Sequence, residues 1–229
     1  NNYSDELRKR LGLDNKLIRV VTSKAKQHPQ RIVFTEADTY KILQAAQIVR
    51  DEGIAKPILL GNKEKIRRLI EENNLDLGDT PIIDPRVEDE KRNHFGELLF
   101  LKRKRRGLTL YEAKKIMNER NYYGAMMVDV GESVALISGL TRKYGATIRP
   151  ALQIIGTQES VKKVAGMYIM VTKKGPIFFA DTTVNVNPTA EDLAEITVLT
   201  AWAVQQFNIK PRIALLSFSN FGSSSEASA

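Results

Sequence analysis

Residues 31–38 are Arg31-Ile32-Val33-Phe34-Thr35-Glu36-Ala37-Asp38, an apolar run that passes directly into a helix-start signal. The segment from Thr39 to Glu52 has apolar residues at helical spacing and is followed by Gly53, a common helix stop. A second apolar run, Pro57-Ile58-Leu59-Leu60-Gly61, comes next. Two apolar runs joined by one helix predict a βαβ unit with parallel strands.

The same alternation continues along the chain. The strands are continuously apolar, which is typical of parallel strands covered by helices on both faces. The sequence therefore predicts an α/β protein. The further elements we predict are a helix over 63–72, a strand over 81–84, helical sequence over 88–120 with a break at Arg106-Gly107, a strand over 133–138 and a helix over 149–155.

The pattern changes near residue 158. Two predicted strands, 164–171 and 177–183, flank Lys173-Lys174-Gly175-Pro176, a turn sequence typical of a hairpin. Thr189 and Asp192 then form a capping-box-like pair at the start of a strong helix. The last predicted strand covers 211–217. We therefore predict a first domain over 1–158 and the start of a second domain over 159–229.

The charge of the chain favours anionic partners. Its 229 residues include 35 Lys and Arg against 27 Asp and Glu, so the formal net charge is +8. Such a surface attracts nucleic acid, anionic membranes or phosphorylated small molecules. Cysteine is absent, which excludes disulfides and thiol nucleophiles. Since no apolar run is long enough for a membrane span and the N-terminus does not resemble a signal peptide, we expect a cytoplasmic protein.

Common catalytic motifs are not found. The two histidines, His28 and His94, stand in polar sequence without the neighbours that build a metal site, so we expect surface or packing roles for them. The sequence has no serine nucleophile elbow, no Walker loop and no dinucleotide-binding glycine motif. We predict no metal site from these residues.

Three polar features remain as candidates. Lys102-Arg103-Lys104-Arg105-Arg106 is compatible with a helix end, a site for a small phosphorylated ligand, or a nucleic-acid patch. Arg149 precedes Pro150 at a predicted loop-to-helix junction, where a guanidinium reaches a phosphate or is an ordinary surface group. Asp181-Thr182-Thr183 ends a predicted strand, and ligands of α/β proteins bind at the carboxyl ends of strands.

Four segments together resemble the phosphate acetyltransferase/butyryltransferase family, in the family's order and at its spacing. The resemblance extends from about residue 17 to the end of the chain. The four segments are Ile137-Ser138-Gly139 with Thr147-Ile148-Arg149-Pro150, Phe179-Ala180-Asp181-Thr182-Thr183-Val184-Asn185, Pro188-Thr189-Ala190-Glu191-Asp192, and Pro211-Arg212-Ile213-Ala214-Leu215 with Leu216-Ser217-Phe218-Ser219.

The resemblance implies a fold, a reaction and a set of binding residues. The fold is two α/β/α domains, as in isocitrate and isopropylmalate dehydrogenases, with acyl-CoA and phosphate bound in the cleft between them. The reaction moves an acetyl group between CoA sulfur and phosphate. The CoA- and phosphate-binding positions fall on Arg103, Arg149, Thr182 and Ser138. Two guanidinium groups would hold a phosphate and offset the negative charge on the attacked thioester oxygen.

The sequence departs from the family pattern at several positions. Thr182 stands where the family has cysteine, and Val134-Ala135 replaces a pair that contains an aspartate. The family's late Ser-Arg pair and aspartate have no counterpart in these residues. We therefore assign no catalytic residue, and we expect the chain to be a C-terminally incomplete fragment.

The closing stretch, Ser217-Phe218-Ser219-Asn220-Phe221-Gly222, resembles the C-terminal domain of bacterial NADP-dependent malic enzymes. This resemblance implies a parent chain that oxidatively decarboxylates malate to pyruvate, with NADP and Mg or Mn held by a domain absent here. The present domain would bind acetyl-CoA as a regulatory effector and support a homo-oligomer. The alternatives are an active phosphate acetyltransferase and, less favoured, a nucleic-acid-binding domain.

Overall fold

The computed structural model describes residues 16–172, 174–216 and 219. The chain divides into two compact units. The larger unit is Val20–Gln158, and the smaller unit comprises residues 16–19 together with the described residues from Glu159 onward. The sequence places its domain boundary after residue 158 as well, but it assigns residues 16–19 to the first domain.

Helices and strands alternate in the larger unit, which is the predicted α/β pattern. A short 3-10 turn, Lys104–Arg106, follows the fourth helix. The elements are α1 (Lys16–Gln27), β1 (Gln30–Phe34), α2 (Tyr40–Asp51), β2 (Ala55–Leu60), α3 (Lys63–Glu72), β3 (Ile82–Ile83), α4 (Asp89–Arg103), α5 (Leu110–Ile116), α6 (Arg120–Asp129), β4 (Ala135–Ile137) and α7 (Tyr144–Ile154).

The four strands form one parallel sheet in the order β3-β2-β1-β4. Phe34, the last residue of β1, lies level with Leu59 of β2 and Ile137 of β4. The carboxyl ends of β1, β2 and β4 therefore lie at one edge of the sheet. This edge is where α/β proteins bind their ligands.

Successive residues of β1 point to opposite faces of the sheet, and both faces are covered. Val33 belongs to a buried cluster with Phe95 of α4 and Tyr123 of α6. Phe34 belongs to a second cluster with Leu43 of α2 and Ile66 of α3. Burial on both faces explains why the strands are continuously apolar, and it confirms the predicted layered α/β arrangement.

A glycine lets α6 approach the sheet closely. A Cβ atom at Gly124 would lie 3.0 Å from Thr35 Cγ2 and 3.2 Å from Val33 Cγ1. Real Cβ atoms rarely approach neighbours this closely, so a larger residue would push the helix away from β1. The contact holds the first turn of α6 near the carboxyl edge of the sheet.

The predicted loop-to-helix junction at Arg149 is wrong, because α7 begins at Tyr144 and Pro150 lies inside it. Proline has no N–H, so the carbonyl of Ala146, four residues earlier, loses its usual helical donor. The side-chain amide of Asn121 replaces that donor, with 3.2 Å between Asn121 Nδ2 and Ala146 O. A long-range hydrogen bond thus allows the helix to continue through the proline.

The smaller unit contains an antiparallel hairpin and one long helix. The strands β5 (Met167–Thr172) and β6 (Gly175–Ala180) pair as predicted, although Lys173 of the turn lies outside the described residues. The helix α8 (Ala190–Gln205) begins at Thr189, whose hydroxyl and backbone form the predicted capping box with Asp192. Phe207 packs against Phe178 of β6, with ring centroids 5.7 Å apart.

The predicted strand over 211–217 is wrong for residues 211–216, which have no strand conformation. A strand needs a hydrogen-bonded neighbour, and Leu215 and Leu216 are 69% and 82% exposed instead. Ser217, residues 1–15 and residues 220–229 lie outside the described residues, so the malic-enzyme-like closing stretch is described only at Ser219. Within the described ranges, no helix is both long and apolar enough to cross a membrane.

Candidate functional site

The first cluster of the candidate site lies where β1 and β4 end. Glu36 follows β1, and Gly139, Leu140 and Thr141 follow β4. The Glu36 carboxylate accepts the backbone N–H groups of these three residues, at 2.7 Å from Gly139, 2.8 Å from Leu140 and 2.9 Å from Thr141. The Thr141 hydroxyl also donates to it. One buried side chain thereby fixes the loop that leads into α7.

The Glu36 side chain is ionised despite its burial. Only 4% of the residue is exposed. Burial opposes ionisation, but the hydrogen bonds from Thr141, Leu140 and Gly139 outweigh that effect and lower the pKa of Glu36. The site therefore keeps one fixed negative charge at neutral pH.

An ion pair forms the second cluster of this edge. Arg120, the first residue of α6, donates two hydrogen bonds to Asp38, with N···O distances of 2.6 and 3.0 Å. Lys65 of α3 lies 3.3 Å from the same carboxylate. The hydrogen bond from Arg120 is the main reason that the pKa of Asp38 falls to about 2. Asp38 thus connects the ends of β1, α3 and α6.

Ser138 and Asn121 connect the loop after β4 to the start of α6. The hydroxyl of Ser138 donates to Asn121 Oδ1 at 2.9 Å. The amide nitrogen of the same Asn121 donates to Ala146 of α7. Ser138, one of the predicted binding residues, is therefore linked through one buried side chain to the helix that carries Arg149.

The helices that carry the two predicted arginines both pack against the helix that carries Tyr122. Arg103 ends α4, Arg149 lies in α7, and Tyr122 lies on α6. Burial raises the pKa of the Tyr122 hydroxyl, while the positive charges of Arg149 and Arg103 act to lower it. The hydroxyl donates to Gln153 Oε1 at 2.7 Å, one helical turn from Arg149. The positive charges of both arginines therefore act on one hydroxyl of α6.

Arg103 and Arg149 differ in exposure. Arg103 is half-buried at the helix end, whereas Arg149 is exposed. The helix-end interpretation of residues 102–106 is confirmed, because α4 ends at Arg103 and Gly107 has a left-handed conformation with φ of 85°. Lys102 pairs with Asp129 at 2.9 Å. Arg103 is therefore the one half-buried residue of this basic segment.

Thr182 lies in the smaller unit, in a turn organised by Asp181. The Asp181 carboxylate accepts backbone N–H groups from Gly166, Thr183, Val184 and Asn185, at 2.5 to 3.1 Å. Burial opposes its ionisation, but these hydrogen bonds prevail and bring the pKa of Asp181 to about 2. In the described part of the chain, the buried Thr182 hydroxyl has no hydrogen-bond partner.

The predicted setting of this turn is wrong, since Asp181 does not follow a strand of the parallel sheet. It follows β6, which pairs antiparallel with β5 alone among the described strands. The strand also ends at Ala180 rather than at Thr183, because the Asp181 side chain binds the backbone that a longer strand would use.

The histidines contribute no site to the described region. The ring of His94 lies 6.3 Å from that of Phe95, and the carbonyl of His28 accepts a hydrogen bond from Gln30. Across residues 16–172, 174–216 and 219, no three His, Asp or Glu side chains are placed to hold a metal ion.

Sequence reasoning missed the residues that shape the site. The sequence analysis interprets Glu36 as part of a helix start and Arg120 as the end of a helical stretch, and it assigns no role to Asn121 or Tyr122. The available signal was the position of Glu36 and Asp38, two acids placed directly after a buried strand. Apart from Lys65, which is 27 residues from Asp38, their partners lie 82 to 105 residues away along the chain.

The fold and the site define a layered α/β protein with a network of charged, amide and hydroxyl side chains at the carboxyl edge of a parallel sheet, the edge where proteins of this class bind their ligands. The family described as phosphate acetyl/butaryl transferase matches residues 16–229. The chain belongs to this family.

Similar proteins agree with that assignment. The phosphate acetyltransferase of Bacillus subtilis is 36% identical over 207 residues, which are 90% of this chain and 64% of the relative. The NADP-dependent malic enzyme of Haemophilus influenzae is 39% identical over 215 residues, or 90% of this chain and 28% of the relative. Other relatives at similar identity are phosphate acetyltransferases.

A solved structure has the same fold. A phosphotransacetylase from Streptococcus pyogenes superposes with a TM-score of 0.79 at 33% identity. The match covers 92% of this chain and 64% of that structure. The chain thus spans somewhat under two thirds of the length of the phosphate acetyltransferases of Bacillus subtilis and Streptococcus pyogenes.

Proposed function

We propose that this chain is part of a phosphate acetyltransferase and binds acyl-CoA and phosphate through Arg103 and Arg149. The observation that supports it most is that α4 and α7, the helices that carry the two arginines, both pack against α6, and that both positive charges act on the Tyr122 hydroxyl of that helix. The family position of each arginine agrees with this role. A pair of guanidinium groups binds a phosphate at two sites and in a defined orientation.

The proposed reaction transfers an acetyl group directly from CoA to phosphate. A phosphate oxygen attacks the thioester carbonyl carbon, the carbon–sulfur bond breaks, and the CoA sulfur takes up the proton that phosphate releases. Negative charge moves onto the carbonyl oxygen during the attack, and the two arginines stabilise it. Direct transfer suits a chain without cysteine, since Thr182 offers no thiol at the position where the family carries one.

Ser138 and Thr182 complete the proposed set of CoA- and phosphate-binding residues. The buried Thr182 hydroxyl has no hydrogen-bond partner among the described residues, whereas the Ser138 hydroxyl already donates to Asn121. The two-domain architecture of the isocitrate dehydrogenase type, the cleft between the domains and the cytoplasmic location stay predictions that belong to this proposal.

A second candidate function is a regulatory domain of an NADP-dependent malic enzyme. The 39% identity to such an enzyme over 90% of this chain favours it. In that case acetyl-CoA binds as an effector, a homo-oligomer forms, and NADP and a divalent metal are held by residues outside this chain. Binding without turnover is also compatible with threonine, at Thr182, in place of the family's cysteine.

Formation of acetyl phosphate separates the two candidates. We expect the whole protein to convert acetyl-CoA and phosphate to acetyl phosphate, and Arg149→Ala to lower kcat/KM by about 100-fold, the loss typical of one oxyanion-stabilising group. Arg68→Ala, which removes an exposed arginine of α3, serves as the matched control and should leave the rate unchanged. Saturable acetyl-CoA binding without acetyl phosphate would favour the regulatory function, and no binding would contradict both.

A further inference from the structure

Three successive backbone N–H groups converge on one point at the end of β4. They belong to Gly139, Leu140 and Thr141, and the Thr141 hydroxyl joins them. Consecutive N–H groups that point inward form a concavity that binds anions. The Glu36 carboxylate occupies this concavity, with one oxygen on Gly139 and Leu140 and the other on Thr141.

The interaction connects two parts of the chain that are far apart in sequence. Glu36 follows β1 and lies 103 residues before Gly139. The loop that it binds runs from the end of β4 to the start of α7 at Tyr144. Arg149 lies on that helix. The position of the helix start therefore depends on the carboxylate of Glu36.

Glu36 meets the loop as a charged group. Its low pKa results from the hydrogen bonds of the loop, which outweigh the effect of burial. Hydrogen bonds to an ionised acceptor are about twice as strong as those between neutral groups. A neutral side chain of the same size would hold the three N–H groups less firmly.

We propose that Glu36 is a positioning residue whose carboxylate acts as an internal anion, fixing the 139–141 loop and through it the helix that presents Arg149. The effect on ligand binding rests on the proposed function. The effect on the loop does not, since it concerns only the contacts between Glu36 and residues 139–141.

Chemical rescue tests this inference. Glu36→Ala should expose a cavity lined by the three N–H groups, which formate can enter. We expect amide hydrogen exchange at residues 139–141 to become at least about tenfold faster in Glu36→Ala and to slow again with formate. Acetyl-CoA affinity should fall by about tenfold and recover with formate, a change in the range of ordinary coupling between sites.

Control experiments test whether the rescue depends on a negative charge at the position of the Glu36 carboxylate. Formamide resembles formate without its charge and should not restore the variant, and formate should not improve the wild-type protein. Glu112→Gln is the matched control for Glu36→Gln, because Glu112 also accepts from the backbone N–H and hydroxyl of one threonine, Thr109. We expect Glu36→Gln to weaken acetyl-CoA binding and Glu112→Gln to leave it unchanged.

The outcomes separate this inference from the proposed function. If wild-type protein fails to bind acetyl-CoA, the proposed function fails, while hydrogen exchange still decides the role of Glu36. Unchanged exchange at 139–141 in Glu36→Ala, or faster exchange that formate does not reverse, overturns the inference. If Glu36→Ala does not fold, Glu36→Gln, which keeps one acceptor oxygen, is measured in its place, and unchanged exchange in that variant overturns the inference equally.

Discussion

Thr182 places a hydroxyl in a buried position where, among the described residues, nothing accepts or donates to it. A buried hydroxyl without a partner costs about 1–3 kcal/mol relative to one that is hydrogen-bonded. The protein tolerates this cost next to an aspartate that is fully engaged by the surrounding backbone. A hydroxyl of this kind is expected where a ligand supplies the missing partner.

We predict that Thr182→Val raises the free energy of unfolding by about 1 kcal/mol, because valine keeps the shape of threonine and removes the unsatisfied group. The same change should weaken acetyl-CoA binding. Thermal unfolding and ligand titration measure the two effects. Thr200→Val is the control. The Thr200 hydroxyl already donates to Ile196 O at 2.7 Å, so its removal should not raise the free energy of unfolding. A destabilised Thr182→Val would contradict this account.

The Asp38–Arg120 pair gives a prediction about pH. The folded-state pKa of Asp38 is about 2, below its ordinary value of 3.8, so the stabilisation is present above pH 4 and is lost as the pH falls toward 2. We expect Asp38→Asn to cost about 1–2 kcal/mol at pH 7, since the pair is a fifth exposed and partly screened. In denaturant unfolding, the difference from wild type should narrow between pH 4 and pH 2, and a difference independent of pH would contradict the assignment.

The sequence identified some residues of the candidate site and missed others. Arg103, Arg149, Ser138 and Thr182 come from local motifs that resemble a family. Glu36 and Asn121 could not be found this way, because their roles depend on hydrogen bonds to loops and helices far away in sequence. A carboxylate after a strand has the same local pattern whether it caps a helix or binds another loop.

Among the elements, α7 shows how a distant residue decides a boundary. The sequence places the start of this helix near Pro150, following the ordinary preference of proline for the first turn. The structure begins it six residues before the proline, at Tyr144, because Asn121 satisfies the carbonyl that Pro150 leaves without a donor. Most of the other predicted helices and strands match within a few residues, since their apolar spacing is local, but the sequence analysis predicts neither α1 nor the part of α6 beyond Arg120.

A double-mutant cycle tests the link between Asn121 and Pro150. In wild type, Asn121→Ala leaves the Ala146 carbonyl without a donor, and we expect a loss of about 2–3 kcal/mol in the free energy of unfolding. In a Pro150→Ala background the new backbone N–H can bond Ala146, so the same change should cost about 1 kcal/mol less. Denaturant unfolding of the four proteins gives the coupling energy. Additive effects would show that Asn121 does not substitute for the missing donor.

For the whole molecule, the sequence predicted the α/β class but not the order of the strands. The order β3-β2-β1-β4 depends on which apolar faces pair, and every strand here is apolar on both faces. Polarity patterns therefore carry no information about neighbours in such a sheet. The packing of α4, α6 and α7, which carry Arg103, Tyr122 and Arg149, is also not specified by local patterns.

The central claim is that Arg103 and Arg149 bind one anionic ligand, acetyl-CoA with its partner phosphate. Calorimetric titration with acetyl-CoA at fixed salt tests it with wild type, Arg103→Ala, Arg149→Ala and the double variant, and with Arg68→Ala as the control for lost charge. We predict saturable binding that each site variant weakens by about 10- to 100-fold, as expected for charge-assisted hydrogen bonds of about 1.5–3 kcal/mol. Arg68→Ala should bind like wild type. Wild-type affinity in both site variants, or an equal loss in Arg68→Ala, would contradict the claim.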